Sequence, residues 1–258
     1  MKKLLFFTAV DNGYEDFLPL YIYFANKYNE NSSFEFLVKN LKDDFLSLIN
    51  NFSNQFGIKD VLLRNFNNEF FDANQYRFID EPTIKCEYTY IGDVDIFIKE
   101  NILPFHISKM NEHNTIYDNC IRPDQRKKLT GLHFIKTEEW YKQTKNVRHE
   151  FISLYSDKKC KINNEELLKL IADKSKVKLF DNGKFFPRPL HGVHISLKRK
   201  PFTDKMEFPS KEYKEMMIDN FFKTKDYEIL KSFLSNNMLN ILDKCNEYVI
   251  NKNMTYLV

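Results

Sequence analysis

The N-terminal quarter of the chain alternates between short apolar runs and longer amphipathic segments, and this alternation constrains the fold most strongly. The apolar runs at residues 3–9, 34–38 and 61–63 have the length and composition of buried strands. Between them, apolar residues recur at helical spacing over Tyr14–Tyr28 and Leu41–Phe56. Strand, helix, strand, helix, strand predicts an α/β chain with a parallel, doubly wound sheet, whose ligands bind at the carboxyl ends of the strands.

The middle of the chain extends this pattern. Further strands are predicted at Tyr88–Gly92 and Gly131–Ile135, where apolar residues cluster beside glycine. A short helix is predicted at Glu165–Ala172, after two asparagines suited to capping it. The segment Asn101–Gln125 shows no periodicity that predicts an element. The sequence therefore predicts more strands on one sheet, with an unassigned connection between them.

The C-terminal part differs in character. The segment Lys211–Asn251 lacks glycine and proline and is rich in helix-forming residues, which predicts a set of helices. We expect residues 1–208 to form one α/β domain and residues 209–258 to form a helical appendage. Aromatic side chains in the appendage either pack against the main domain or dock on an anionic membrane: Tyr213, Phe221, Phe222, Tyr227 and Phe233.

Charge and hydropathy limit the partners. The net charge of +3 is too small for a nucleic-acid-binding face. No apolar stretch approaches the roughly 20 residues that span a bilayer, and Asp11 interrupts the N-terminal apolar run before any cleavage site of a signal peptide. The four cysteines form no Cys-x-x-Cys pair, which argues against structural zinc. We expect a cytoplasmic protein, and contact with the inner face of the cytoplasmic membrane stays open.

A pair of aspartates, Asp93 and Asp95, lies between the apolar runs 88–92 and 96–98. Carboxylates flanked by apolar residues are costly to bury unless a partner offsets their charge. Hard oxygen ligands suit Mg²⁺ or Mn²⁺, which bind through one or two carboxylates together with substrate phosphates. A polar loop after a strand is the alternative interpretation. The pair is therefore a candidate metal site.

Three further motifs accompany this pair in a known order. They are Phe6–Tyr14 with its Asp-x-x-Tyr turn, Tyr76–Phe78, and His194–Phe202 with its Lys-Pro step. In this order they resemble the family-8 retaining glycosyltransferases, which include glycogenin and the bacterial lipopolysaccharide glucosyl- and galactosyltransferases. The resemblance covers roughly residues 3–202. It implies a GT-A (Rossmann-like) nucleotide-sugar-binding domain with a mixed, mostly parallel sheet, followed here by the C-terminal helices.

The resemblance also implies which residues bind the donor. Tyr14 would stack on the base, and Asp11 and the Thr8–Ala9 backbone would contact the uracil and ribose. Arg77 would reach the phosphates or the carboxylates of the metal site, because a guanidinium suits either partner. Val94, between the two aspartates, is placed among the donor-binding residues. A strand-to-helix turn at Asp11 and a surface salt bridge at Arg77 are the alternatives.

The family's metal site has two aspartates and a histidine, which here would be Asp93, Asp95 and His194, with His191 as second choice. Lys200 would contact the diphosphate. Two residues depart from the family pattern in this segment, because a leucine replaces its glycine and a phenylalanine its tryptophan: Leu197 and Phe202.

A helix start near residue 164 is similar to the family element whose acid faces the donor sugar and acceptor. By position Asn164 or Glu165 takes that role, and capping of a surface helix is the alternative. Four of the chain's six glycines also lie inside these motifs, which suggests backbone constraints at one shared site: Gly13, Gly92, Gly131 and Gly192.

Together these features predict a metal-dependent glycosyltransferase that moves a sugar from a UDP-sugar to a bacterial surface glycan, with retention. The acceptor would be an oligosaccharide or a lipid-linked glycan, as in lipopolysaccharide or capsule synthesis. The predicted catalytic residues are Asp93, Asp95, Asn164, Glu165 and Lys200.

Three other functions compete with this prediction. An inverting enzyme would need a base, for which Glu165 or Glu166 are candidates. A nucleotidyltransferase-like protein would normally carry a glycine-rich, basic phosphate loop after the first strand, and Asp11–Tyr14 is not one. A non-catalytic glycan- or protein-binding module gives no reason for carboxylates, histidine and lysine to converge.

Overall fold

The computed structural model of the protein describes residues 2–11, 13–119, 128–180, 191–194 and 221–243. The strands are β1 Leu4–Val10, β2 Ser33–Lys39, β3 Val61–Phe66, β4 Tyr88–Ile91, β5 Ile96–Ile98, β6 Tyr117–Asp118, β7 His133–Lys136 and β8 Gly192–His194. Six of them form one sheet in the order β3-β2-β1-β4-β7-β6, and β5 pairs with β8 in a second, two-stranded sheet. Strands β1 to β4 are parallel, and β7 is antiparallel to both of its neighbours.

Helices cover both faces of the main sheet. They are α1 Leu18–Tyr28, α2 Asp43–Gln55, α3 Ala73–Ile79, α4 Leu103–His113, α5 Thr137–Leu154, α6 Asn164–Lys174 and α7 Lys225–Leu230. Every residue of β1 is buried, and its side chains alternate between two apolar cores. One core contains buried residues of α1 and α2, and the other contains those of α3, α5 and α6. A central strand buried on both faces reads as a continuous apolar run, as in other sheets of this type.

The predicted mixed, mostly parallel α/β sheet is confirmed. The segment Asn101–Gln125, which has no clear periodicity, contains α4 and β6 among its described residues. The buried residues of α4 are His106 and Met110. Leu103 and Ile107 also pack against the core, so Leu103, Ile107 and Met110 have the i, i+4, i+7 spacing of a helix, a pattern that was missed from the sequence.

The described part of the C-terminal segment packs on α1 and α2. The rings of Phe24 and Phe221 lie 4.8 Å apart between centroids, and Tyr23 Oη donates a hydrogen bond to Asp226 at 2.6 Å. Four of its five predicted aromatics are buried or partly buried against the core: Phe221, Phe222, Tyr227 and Phe233. Tyr213 lies outside the described residues, as do residues 195–220, so the division into domains 1–208 and 209–258 stays a prediction. None of the helices in the described ranges has the length and apolar character needed to cross a bilayer.

Candidate active site

The Asp93–Asp95 turn follows β4 directly and leads into β5, with the Ile96 amide donating to the Asp93 carbonyl at 3.2 Å. Asp95 is buried, whereas the side chain of Asp93 is 27% exposed. The buried guanidinium of Arg77, on α3, contacts both the backbone and a side chain of this turn. Its Nη1 donates to the Gly92 carbonyl at 2.9 Å and lies 2.7 Å from Asp93 Oδ1.

Strand β8 brings a histidine to the same turn. It runs antiparallel to β5, with Ile96 opposite His194 and Ile98 opposite Gly192. In this register His194 Nε2 lies 3.3 Å from Asp95 Oδ2, and both side chains are buried. The close approach requires glycine at position 192, because a Cβ there would lie 1.8 Å from the Phe97 carbonyl oxygen. Pairing of β5 with β8 therefore joins residues that are almost 100 positions apart.

Burial dominates the electrostatics of Asp95. Loss of solvent raises the pKa of the Asp95 carboxyl above its ordinary value, and the nearby charge of Asp93 acts in the same direction. The hydrogen bond from His194 opposes this shift. A positive charge placed among these groups would offset the burial of the carboxylate.

A cavity of about 490 Å³ opens over this turn at the carboxyl end of β1. Of the predicted site residues that the structure describes, all but His191 and the alternative base Glu166 line it: Thr8, Ala9, Asp11, Tyr14, Arg77, Asp93, Val94, Asp95, Asn164, Glu165 and His194. These residues come from β1 and the turn after it, α3, the β4–β5 turn, the start of α6 and β8. A location at the carboxyl ends of parallel strands is where open α/β sheets bind ligands.

Two buried polar atoms of lining residues lack a hydrogen-bond partner among the described residues. They are Thr8 Oγ1 and Arg77 Nε. Buried hydroxyl and guanidinium donors are normally satisfied, and leaving one unpaired costs about 1–3 kcal/mol. Both are donors, which suits a ligand rich in acceptor oxygens.

The start of α6 forms a polar wall of the cavity. Asn163 caps the helix, and its side chain accepts from the Glu165 amide at 3.0 Å. Asn163, Asn164 and Glu165 all line the cavity. Sequence reasoning missed two lining residues, Ala73 and Asn74, which begin α3. The only available signal was their position just ahead of Arg77 on a capped helix start.

The chemistry of Asp93, Asp95 and His194 fits a divalent cation such as Mn²⁺, because carboxylate oxygens and an imidazole nitrogen are suitable ligands. The buried Asp95 carboxylate, with its raised pKa, is the group that such an ion would stabilise most. Across the described ranges, no three His, Cys, Asp or Glu side chains are arranged to hold an ion as they stand. Asp93 pairs with Arg77, and Asp95 contacts His194.

Two predicted residues fall elsewhere. His191 does not line the cavity, and its two ring nitrogens contact His106 and Glu100 instead. Lys200 lies outside the described residues, together with Leu197 and Phe202.

A larger cavity of about 650 Å³ lies at the amino-terminal end of β4, whereas the candidate site follows the carboxyl end of that strand. Charged residues of both signs line it, and several pair with one another, including Lys85 with Glu81 at 3.3 Å and Lys136 with Glu139 at 3.9 Å. By volume alone, this cavity would be the better candidate for a ligand site. Of the two cavities, however, it is the smaller one that combines converging carboxylates, an imidazole and unpaired donor atoms.

No family model and no curated protein matches the sequence. The fold, in contrast, is similar to solved glycosyltransferases. The bifunctional glycosyltransferase WbbM, in its apo form, superposes with a TM-score of 0.55 over 90% of this chain and 52% of its own, at 12% identity. The apo form of the glycosyltransferase GlyE of Streptococcus pneumoniae TIGR4 has a TM-score of 0.50, with 70% and 45% of the two chains covered and 12% identity.

The galactosyltransferase LgtC, solved with donor and acceptor sugar analogues, is a weaker match. Its TM-score is 0.46 at 13% identity, over 65% of this chain and 70% of its own. This chain spans about half the length of WbbM and of GlyE. Identities this low show the fold alone. The protein therefore has the GT-A glycosyltransferase fold, and the fold predicted from the sequence is confirmed.

Proposed function

We propose that this protein is a metal-dependent glycosyltransferase that transfers a sugar from a nucleotide-sugar donor. The observation that carries the proposal is the convergence in one cavity of the Asp93–Asp95 turn, His194 and residues with two unpaired donor atoms, Thr8 Oγ1 and Arg77 Nε. A fold shared with glycosyltransferases supports it.

The two ends of the cavity have different roles in this proposal. Tyr14 stacks on the base, and Asp11 and the Thr8–Ala9 backbone contact the nucleoside. Arg77 keeps the metal-binding turn in place through Gly92 and Asp93. Lys200 contributes a cation to the diphosphate.

Other lining residues would bind the metal and the sugar. Asp93, Asp95 and His194 would hold Mn²⁺ or Mg²⁺, which would supply positive charge beside the diphosphate leaving group. Val94 contacts the donor between the two aspartates. Asn164 and Glu165 face the donor sugar and the acceptor hydroxyl.

The stereochemistry is the next part of the proposal. We propose retention, in which the acceptor hydroxyl attacks on the face that the diphosphate leaves, so that no dedicated protein base is needed. Inversion is the alternative, because Glu165 lines the cavity and could accept the proton of the acceptor. Glu166 is not among the lining residues.

The resemblance to family 8 supports a choice of substrates. We propose UDP as the nucleotide and a growing bacterial surface glycan, such as lipopolysaccharide or capsule, as the acceptor. A lipid-linked acceptor would bring the enzyme to the inner face of the cytoplasmic membrane.

Calorimetric titration of UDP, with and without Mn²⁺, tests the proposal. We expect Mn²⁺ to strengthen UDP binding in the wild-type protein. Asp95→Asn, which keeps the shape of a buried side chain, should abolish this effect, a loss of at least about tenfold in affinity. Asp226→Asn is the matched control, because Asp226 accepts a hydrogen bond from Tyr23 in the C-terminal part of the chain and does not line the cavity.

Metal-independent binding that Asp95→Asn leaves unchanged would overturn the proposed metal site. If UDP does not bind under any condition, CMP, GDP and dTDP are titrated in the same way. Failure of all four nucleotides would overturn the assignment as a transferase. If UDP binds as expected, hydrolysis and transfer assays with UDP-sugars then follow.

A further inference from the structure

The turn that would receive the nucleoside forms one hydrogen-bonded unit with the short helix that follows it. Residues Glu15–Phe17 make a single turn of 3₁₀ helix. The Tyr14 amide donates to the Asp11 carbonyl at 2.9 Å, and the Phe17 amide donates to the Tyr14 carbonyl at 3.1 Å. The ring of Tyr14 also stacks on that of the buried Phe17, with centroids 5.8 Å apart. The positions of Asp11 and Tyr14 in the cavity therefore depend on where this unit lies.

The outer side of the unit is bonded to the C-terminal part of the chain, of which the structure describes residues 221–243. Ser235 Oγ donates to Asp16 Oδ2 at 2.6 Å, across 219 positions of sequence, and the contact is partly buried. A hydroxyl that donates to a carboxylate at this distance makes a charge-assisted hydrogen bond, roughly twice as strong as a neutral one. Asp16 is the middle residue of the 3₁₀ turn, so the bond reaches the backbone that carries Tyr14.

Ser235 is itself held in place, because it begins a helix that packs in the core. The Met238 amide donates to the Ser235 hydroxyl at 3.2 Å, as expected of an N-cap residue, and residues 236–243 are helical. Three buried side chains of this helix lie in the same core as Phe17: Met238, Ile241 and Leu242. The helix dipole favours a carboxylate beside this helix start, which strengthens the contact between the two side chains.

We infer that Asp16 and Ser235 are a positioning pair, through which the C-terminal part of the chain fixes Asp11 and Tyr14 at the nucleoside end of the cavity. Neither Asp16 nor Ser235 lines the cavity, so the pair acts through the 3₁₀ unit and not on the ligand. The inference rests on the proposed function only in taking the ligand beside Asp11 and Tyr14 to be a nucleotide.

The metal end of the cavity depends on other contacts. Arg77 bonds to the Asp93–Asp95 turn, and the pairing of β5 with β8 brings His194 to it. Loss of the bond between Asp16 and Ser235 should therefore weaken UDP binding to the same degree with and without Mn²⁺.

A second helix cap in the C-terminal part provides a matched control. Thr224 caps α7, and its hydroxyl accepts from the Tyr227 amide at 3.1 Å and donates to the Phe221 carbonyl at 2.7 Å. Thr224 thus makes the same two kinds of hydrogen bond as Ser235, but both stay within the C-terminal part. Of these two caps, it is Ser235 that donates to the nucleoside turn.

Amide hydrogen exchange tests the pair without any nucleotide. We expect Asp16→Ala and Ser235→Ala to speed the exchange of the Tyr14 and Phe17 amides. Asp16→Asn keeps an acceptor oxygen for the Ser235 hydroxyl, so these amides should exchange at close to the wild-type rate. Thr224→Ala removes a helix cap from the same part of the chain and should leave the two amides unchanged.

Titration of UDP provides the second readout. Asp16→Ala and Ser235→Ala should each lower the affinity by about 3- to 10-fold, the effect of about one hydrogen bond, both with and without Mn²⁺. The strengthening of binding by Mn²⁺ should keep its wild-type value, in contrast to Asp95→Asn. Because each side chain acts through the other, the double variant should lose no more affinity than Ser235→Ala alone. Asp16→Asn and Thr224→Ala should bind UDP like the wild type.

Wild-type exchange of the Tyr14 and Phe17 amides in both alanine variants would overturn the inference. So would losses of affinity that add in the double variant, or a smaller effect of Mn²⁺ in either alanine variant. An equal loss in Thr224→Ala would also overturn it, because the effect would then come from loosening the C-terminal part as a whole. Absence of UDP binding in the wild type would refute the proposed function instead, and amide exchange alone would then decide on the pair.

Discussion

Replacing Gly192 with alanine tests the contact that brings β8 to the Asp93–Asp95 turn. The added Cβ would lie 1.8 Å from the carbonyl oxygen of Phe97 and 2.7 Å from its carbonyl carbon. Both atoms belong to the backbone of β5, so no rotamer change can relieve the contact. To reach ordinary non-bonded distances, β8 must move away by roughly 1.5 Å.

Such a displacement removes most of the pairing between β5 and β8, which joins three residues on each strand. Each lost hydrogen bond costs about 0.5–1.5 kcal/mol, so we expect the free energy of unfolding to fall by about 2–4 kcal/mol. In a chain of this size that is a drop in Tm of roughly 5–15 °C. The imidazole of His194 would also leave Asp95, so we expect UDP affinity in the presence of Mn²⁺ to fall by about 10- to 100-fold, the range of metal affinity lost when a metal site is disturbed.

Thermal melting and UDP titration with Mn²⁺ measure the two effects separately. Gly57→Ala is the matched control, because Gly57 has φ +63° but an added Cβ there meets nothing within 4 Å. It should lose about 1–2 kcal/mol of stability through backbone strain and keep its UDP affinity. If Gly192→Ala melts and binds UDP like the wild type, then the β5–β8 contact does not position His194.

Two further substitutions probe the cavity. Thr8→Val removes the unpaired hydroxyl without changing the shape of the side chain, so we expect unchanged or slightly higher stability in a thermal melt and about a 3- to 10-fold loss of UDP affinity; unchanged affinity would mean that Thr8 does not contact the ligand. Arg77→Lys cannot hold both Gly92 and Asp93, so chemical denaturation should show a loss of about 2–4 kcal/mol and calorimetry a weaker Mn²⁺ effect on UDP binding; wild-type values in both assays would contradict this role for Arg77.

The local pattern of the sequence was enough to predict the core of the fold. Strand β1 is a run of seven buried residues between two cores, and such a strand is recognisable because each of its residues must be apolar or small. Helix α4 was missed although Leu103, Ile107 and Met110 have helical spacing, because its apolar stripe is short and includes the polar His106, which contacts Asp118 and His191. Apolar periodicity detects burial by hydrophobicity and does not detect burial by polar pairing.

At the candidate site, too, local sequence pattern identified some residues and could not identify their partners. Asp93 and Asp95 could be singled out from the sequence, because two carboxylates between apolar runs demand a partner. Their partners could not be derived from local pattern. The approach of His194 to Asp95 depends on the register of β8 against β5, and the contact between Arg77 and Asp93 depends on how α3 packs under the turn.

The two histidines near β8 illustrate this most clearly. His191 and His194 are three residues apart. The resemblance to family 8 favours His194 as the metal ligand, but nothing in the local sequence shows that His191 contacts Glu100 and His106 while His194 contacts Asp95. Residue types and spacing determined which chemistry the chain carries, because these properties are local. Only the tertiary structure decided which side chains meet, because strand pairing and helix packing bring together residues whose separation along the chain carries no information about their distance in space.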